Sequence, residues 1–348
     1  MERVSIVVPI FNMADSIERC VKSLLKQDYE NLEIILVDDG SEDETLSVCQ
    51  RLSKADARIK IYHTENRGSG PARNFGISMA SGKYIYFPDA DDYLEPTGIS
   101  GMVRAMCDGT ELVVFGYKKV NQKNDVVAVK KFGDRVEAGS VLRADYGQCV
   151  NALKPWAIQG APWNKFFDLS VIRENNVEFP PLRRHQDEGF ISRYMCYVKQ
   201  VRFIPDVLYT HYINDLKLVW KKFPVDYMDA VIGLYRIRKE TILTWNSEDK
   251  LTRDMVLKEY ICYAIRALEL TFSPKNGFKN KQQRTEWIEK LIAESAIDRY
   301  EMPERFKMRY QRLILSFIKK KQINRLYYAF KLKAYAEMKL SGIFGKPL

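Results

Sequence analysis

Paired cysteines are missing from this sequence. The six present, Cys20, Cys49, Cys107, Cys149, Cys196 and Cys262, lie far apart and form no C-x-x-C pair. That spacing argues against a zinc site and against a disulfide framework, and it fits a reducing compartment. No stretch approaches the roughly 20 apolar residues that span a bilayer. The opening run MERVSIVVPIFN has a short apolar centre that ends in polar residues, so it reads as a first strand rather than a signal peptide. Internal repeats and low-complexity segments are absent. The body also lacks net charge. The 348-residue chain carries +10, yet residues 301–348 alone hold 12 Lys and Arg against 3 Glu, a net of +9. A neutral body speaks against nucleic acid as a partner, and the basic tail points to a local anionic one.

What is present is ample material for a core: 46% of residues are apolar and 12% aromatic, which excludes global disorder. Val4–Val8 is a short β-branched run of the kind found in buried parallel strands, and Pro9 ends it. Asp15–Lys26 has helical spacing, with Asp15 as cap. LEIILVDDGS is a second strand. SEDETLSVCQRL is a helix with a Ser41–Glu44 capping box. IKIYH, the helix GPARNFGISMAS and the strand KYIYF follow. This alternation predicts βαβ units and a parallel, Rossmann-like sheet. ELVVFGYKKV and DVVAVKKF are candidates for paired strands. From about Asp226 the pattern is helical. In Phe306–Ile318, the residues Phe306, Tyr310, Leu313, Ile314, Phe317 and Ile318 share one face, and a second such stretch runs over Ile323–Met338.

Ligands of open α/β sheets bind beyond the carboxyl ends of the strands. Four loops start there: PIFN, DDGS, ENRGSG and DADD. Gly68-Ser69-Gly70 invites a dinucleotide reading, but Arg73 stands where the last glycine belongs, and this is the third strand–helix turn rather than the first. A helix N-terminus suits phosphate in either case. Asp89 and Asp91 stand two apart at a strand end, and a turn there lets both face the cleft. Mg²⁺ and Mn²⁺ take oxygen ligands, often one or two carboxylates plus substrate phosphates, so a D-x-D fits a metal–diphosphate. The plain alternative is that Asp91 and Asp92 cap the following helix in water.

VSIVVPIFN, LEIILVDDGSEDET, NRGSGPARNFGISMASGKYIYFPDADDYL and WNKFF…FPPLRRHQDEGF occur in this order. Together, over roughly residues 3–212, they resemble the family-2 glycosyltransferases. The resemblance implies a GT-A fold, an α/β architecture with a mostly parallel Rossmann-like sheet flanked by helices. A catalytic domain over 1–215, its nucleotide half to about 95, would precede a helical C-terminal region over 216–348. It further implies inverting transfer from a nucleotide sugar, usually a UDP-sugar, with Mn²⁺ or Mg²⁺. By motif, Pro9 and Phe11 flank the base and Asp39 accepts a hydrogen bond from uracil. Asn66 and Arg73 fall on the nucleotide side, Asp89 near the ribose, and Asp91 at the metal.

Each residue also has a structural reading. Asp38 or Asp39 caps a helix, Phe11 is core, and Arg73 pairs with a surface acid. Relatives usually show Glu-Asp where this chain has Gln186-Asp187, which makes Asp187 the catalytic base and Glu188 the second choice. Arg183, Arg184 and His185 are candidates for the acceptor or diphosphate side, with His185 equally readable as a surface or cap histidine. Many relatives carry a histidine near the metal after a Tyr-rich stretch. The register falls on Asn214, and His211, three residues earlier, is a candidate metal ligand or a buried, hydrogen-bonded histidine. Trp156 is a candidate acceptor platform, and Trp163 reads as core.

The basic amphipathic tail has the character of a helix in an anionic membrane interface. Its alternatives are a bundle packed on the catalytic domain or on a second copy in a homodimer. The expectation is a cytoplasmic enzyme, peripheral at the inner face of the membrane, that glycosylates a hydroxyl of a glycan or lipid-linked saccharide for a surface polysaccharide or glycolipid. Two rivals stay open. A sugar nucleotidyltransferase also places acids around a metal–nucleotide, although no activating basic loop stands near the N-terminus. A catalytically silent scaffold would keep the fold, but Asp39, Asp91 and Asp187 are intact.

Overall fold

β1 (Val4–Ile10), β2 (Leu32–Asp38), β3 (Ile59–His63) and β4 (Tyr84–Tyr86) alternate with α1 (Ile17–Leu25), α2 (Thr45–Ala55) and α3 (Ser69–Met79). This is the order their hydrophobic periods predict. The computed structural model describes residues 1–150, 158, 160–213, 225–273 and 277–344, with the side chains of 148, 150 and 337–344 outside that description. β1 pairs in parallel with β2 and β4, and β2 with β3. Both faces of these strands are covered. Val4, Ile6 and Val8 share a core with Ile17, Val21 and Leu24 of α1 and Cys49 of α2. On the opposite face α3 lies so close that a methyl on Gly76 would stand 2.2 Å from Val7 Cγ1.

The second half of the sheet is mixed. It adds β5 (Tyr93–Leu94), α4 (Gly98–Ala105), β6 (Leu112–Val120), β7 (Val126–Lys130), β8 (Arg135–Ala138), α5 (Gly139–Ala144) and α6 (Tyr146–Val150). β9 (Lys165–Asp168), α7 (Leu169–Glu174), α8 (Gln186–Tyr197) and β10 (Gln200–Tyr212) complete it. Among the described residues the sheet has ten strands, with the order β3-β2-β1-β4-β9-β6-β10-β5 along its main path. β9 is antiparallel to both β4 and β6, and β10 is parallel to β6. The expected pairing of β6 with β7 forms. The β10 register shifts between Phe203 and Val207. Pro205 lies there, and it has no amide hydrogen to give the ladder.

Two compact units result, Met1–Leu216 with Glu240–Ser247, and Lys217–Lys239 with Glu248–Leu348. Trp245 accounts for the segment that joins the first unit. It is buried, its Nε1 donates to the Ser192 carbonyl at 3.1 Å, and its ring meets Tyr146 edge-on. The second unit draws on α9 (Tyr227–Thr244), α10 (Lys250–Glu269), α11 (Lys281–Ser295), α12 (Arg309–Lys319) and α13 (Ile323–Phe344). Its own core contains Ile261, Leu268, Ile288, Ile314, Ile318 and Phe330.

Three local expectations are corrected. α1 starts at Ile17 without a side-chain cap, because the Met13 carbonyl accepts the Ser16 and Ile17 amides while Asp15 stays exposed. α2 starts only at Thr45, so no Ser41–Glu44 box forms; Asp43 accepts the Thr45 amide and Ser41 accepts the Asn12 amide. In the tail stripe Leu313 is 50% exposed and Leu315 is buried instead. Phe306 precedes the helix, which begins at Arg309.

Candidate functional site

The acidic turn after β4 explains how its carboxylates coexist. Asp92 is fully buried and accepts three hydrogen bonds: from Tyr209 Oη (2.6 Å), from the His211 ring through Nδ1 (3.0 Å) and from the Tyr212 amide (2.7 Å). Asp89 accepts from Arg73 Nη2 at 2.7 Å, and its amide donates to Tyr209 Oη. The Arg19 guanidinium donates to the Asp91 carbonyl and lies 4.1 Å from the centre of the Tyr212 ring. Partners fixed by the fold thus offset the repulsion among like charges. Asp92 is neither helix cap nor solvated. It is the anchor that ties the turn to β10.

The other acidic strand end divides its pair in the same way. Asp38 is fully buried and meets His63 Nδ1 at 2.6 Å, so it caps no helix. Asp39 accepts the amides of Arg67 (2.9 Å) and Gly68 (2.7 Å). Gly68 has φ +98°, a conformation L side chains rarely adopt.

An aromatic cluster brings in the last carboxylate. Phe190 of α8 stacks on Phe179 with centroids 3.9 Å apart, and it meets Phe87 and Phe167 edge-on. Phe87 precedes Asp89 by two residues, and Phe190 follows Asp187 by three. One packed cluster therefore positions both acids. Arg73, 3% exposed, joins them, with Nη1 donating to Asp187 at 3.1 Å. Burial pushes the Asp89 carboxyl up to about 7; Arg73 opposes this, and the carboxylates of Asp92, Asp187 and Asp91 add to it. Lys165, which the sequence did not single out, is fully buried nearby. Burial pushes its ammonium down to about 7 against the pull of Asp187, and it donates to Ala161 and Asn164 at 2.8 Å each.

These groups surround a cavity of about 360 Å³. Its walls include Pro9, Phe11, Asp39, Arg73, Asp91 and Asp187, with Asp89 beside them. Seven expected residues thus meet in one space. Ser69 and Gln186 also line it, and only the Gln-for-Glu departure hinted at the second. Asn66 and His185 are exposed, Arg184 is half-buried and Glu188 is buried, and none of the four is among the described lining residues. His185 stands before α8 at φ +62°. His211 is held by Asp92 and stacks on Trp163, whose other stacking partner is Tyr209. Trp163 packs against the sheet core, as its motif suggested. Trp156 and Asn214 lie outside the described residues. Among the described residues no three His, Cys, Asp or Glu side chains form a ready-made metal cluster.

Residues 5–153 match the model of the family described as Glycosyl transferase family 2. "Glycosyltransferase GlyG" of Streptococcus pneumoniae serotype 4 (strain ATCC BAA-334 / TIGR4) is 30% identical over 251 residues, 67% of this chain and 78% of that one. The chain belongs to glycosyl transferase family 2. "Uncharacterized glycosyltransferase EpsJ" of Bacillus subtilis (strain 168) is 47% identical over 218 residues, 61% of each chain. Among solved structures, that of S. aureus TarS 1-349 in complex with UDP-GlcNAc superposes with a TM-score of 0.64 at 20% identity, over 96% of this chain and 92% of that one. The fold is GT-A: a mixed, mostly parallel sheet flanked by helices, followed by C-terminal helices. The enzyme class is glycosyltransferase.

Proposed function

We propose that this family-2 enzyme transfers a hexosyl or N-acetylhexosaminyl group from a UDP-sugar, with inversion, to a hydroxyl of a glycan or lipid-linked saccharide in surface polysaccharide biosynthesis. The observation that carries the reading is Arg73, whose two terminal nitrogens reach Asp89 and Asp187 across one cavity. A single guanidinium thus links the donor-side acid to the candidate base. TarS, a neighbour in fold, has been solved in complex with UDP-GlcNAc, which supports a uridine donor here.

Phe11, 39% exposed at the cavity wall, offers a face to the base beside Pro9. Asp39 spends one lone pair of each oxygen on the loop amides and keeps others for the uracil N–H. Asn66 and Asp89 serve the nucleotide and its ribose. Asp187 takes the proton of the acceptor hydroxyl as that oxygen bonds to the anomeric carbon and the bond to UDP breaks, a contribution of about 10²–10⁴-fold.

Asp91, half-buried in the wall, would supply one carboxylate ligand to Mn²⁺ or Mg²⁺, beside diphosphate oxygens and water. His211 is the second candidate ligand. When bound, the cation stabilises charge on the departing diphosphate. Glu188 remains the second choice as base, Arg184 and His185 remain assigned to the acceptor or diphosphate side, and the first unit is the catalytic one.

The C-terminal helices support a peripheral contact with anionic membrane. On α13, Tyr328, Leu332 and Tyr335 form an exposed stripe beside Lys331, while the buried face of α12 and α13 lines the helical core. A second copy of the chain is the competing occupant. No described helix is long and apolar enough to cross a membrane.

Calorimetric titration of UDP, with and without Mn²⁺, tests the site. Micromolar binding that needs the metal, with CDP and GDP silent, is expected. No binding in either condition removes the donor assignment.

A further inference from the structure

We propose that Gln186, together with Ser69, reads a hydroxyl of the sugar carried by the donor. The inference rests on the donor reading of the cavity given above. Gln186 is 7% exposed and lines the cavity with Asp187 and Ser69. Its Nε2 donates to Ser69 Oγ at 2.7 Å, whereas Oε1 is buried with no hydrogen-bond partner. A serine hydroxyl can donate or accept, so Ser69 holds one polar atom of the carboxamide in either orientation of the amide. Buried polar atoms are almost always satisfied, and this unpartnered one belongs to a side chain that lines the cavity.

The side chain is held in place for this task. A methyl on Gly70 would stand 3.2 Å from Gln186 Cγ and 3.3 Å from the Pro180 carbonyl oxygen. The amide therefore packs directly on the backbone at the start of α3. The Ser69 bond sets it against the loop whose amides hold Asp39, on the nucleotide wall of the cavity.

The chemistry selects a sugar hydroxyl. Such a group donates and accepts, so it satisfies either end of the amide. Phosphate oxygens only accept, and they are better served by Arg73. The acids and Arg73 in the cavity wall are ionisable, while Gln186 and Ser69 are a neutral pair suited to reading a neutral ligand group. Glutamate at 186 would put another carboxylate next to Asp187, and glutamine removes that repulsion while keeping an acceptor oxygen.

Calorimetry on the full chain with Mn²⁺ tests the proposal. The probes are UDP, UDP-glucose, UDP-galactose and their N-acetylhexosamine counterparts, together with deoxy analogues of the tightest binder. In Gln186→Met, UDP affinity should stay within about twofold, while that UDP-sugar should weaken roughly three- to tenfold, the value of one neutral hydrogen bond. Gln186→Glu, equal in shape and still an acceptor, should recover part of the loss. One deoxy analogue should bind the unaltered protein less well, yet bind Gln186→Met no worse than its parent sugar does. Equal weakening of UDP and UDP-sugar, or no weakening of the UDP-sugar, overturns the proposal. Failure of the unaltered protein to bind UDP overturns the donor reading itself, and this inference falls with it.

Discussion

The turn after β2 and the turn after β4 each end a parallel strand in neighbouring acids, and each separates them by job. Asp38 and Asp92 are fully buried against partners from other elements, His63 in one case and Tyr209, His211 and Tyr212 in the other. Asp39 and Asp91 line the cavity. The turns differ in what holds them. The β2 turn is held from one neighbouring stretch, by His63 of β3 and the amides of the loop that follows it. The β4 turn is held from three parts of the chain, by Arg19, Arg73 and β10. A D-D or D-x-D-D motif is thus one structural acid and one or two cavity acids, and the geometry of the cavity side depends on the buried partner.

The largest effect expected from breaking this arrangement is at its far wall. Asp187→Asn should lower kcat by about 10²–10⁴-fold and leave UDP affinity nearly unchanged; full activity would remove Asp187 as base. Next comes the β4 turn. Asp91→Ala should abolish the gain in UDP affinity that Mn²⁺ brings, with little change in Tm. Asp92→Asn should instead cost about 1–3 kcal/mol of stability, because an amide NH₂ meets groups that themselves donate. Calorimetry and thermal melts on the pair read both quantities, and identical behaviour of the two variants would erase the division.

The β2 turn offers a milder version of the same contrast. Asp39→Ala should weaken UDP roughly tenfold, for the loss of a hydrogen bond to a charged group. Asp38→Asn should lower Tm without changing the preference for UDP over CDP.

A separate expected effect, on the pH dependence of stability, concerns Lys165. Its folded pKa is about 7 against an ordinary 10.5. Between those values the unfolded chain holds the proton and the folded chain does not, so this residue makes stability rise with pH across that window. Lys165→Met should remove the rise, which urea melts at a series of pH values would register.

Much of the fold was legible because parallel strands and amphipathic helices write their periods locally. The four strands and three helices of the first half, the acidic and glycine-rich turns, and the family all follow from residues near one another in sequence. Helix starts were less legible. At Asp15 and Ser41 a side chain able to cap stood in place, but the Met13 carbonyl and the Asp43 carboxylate took the task. The candidate site was legible as a set of motifs and not as a set of contacts. Arg73 looked as ready for a surface acid as for Asp187, a partner 114 residues away.

The sequence by itself therefore determined the alternation of elements, the strand-end positions of the acids, and the family those motifs define. The tertiary structure decided which acid of each pair turned inward, that Asp89 and Asp187 share one guanidinium, and that Gln186 keeps an unspent polar atom. The reason is physical. Backbone period and turn chemistry act over a few residues, whereas burial and hydrogen-bond satisfaction depend on whatever distant segment the packing of Phe87, Phe179 and Phe190 brings alongside.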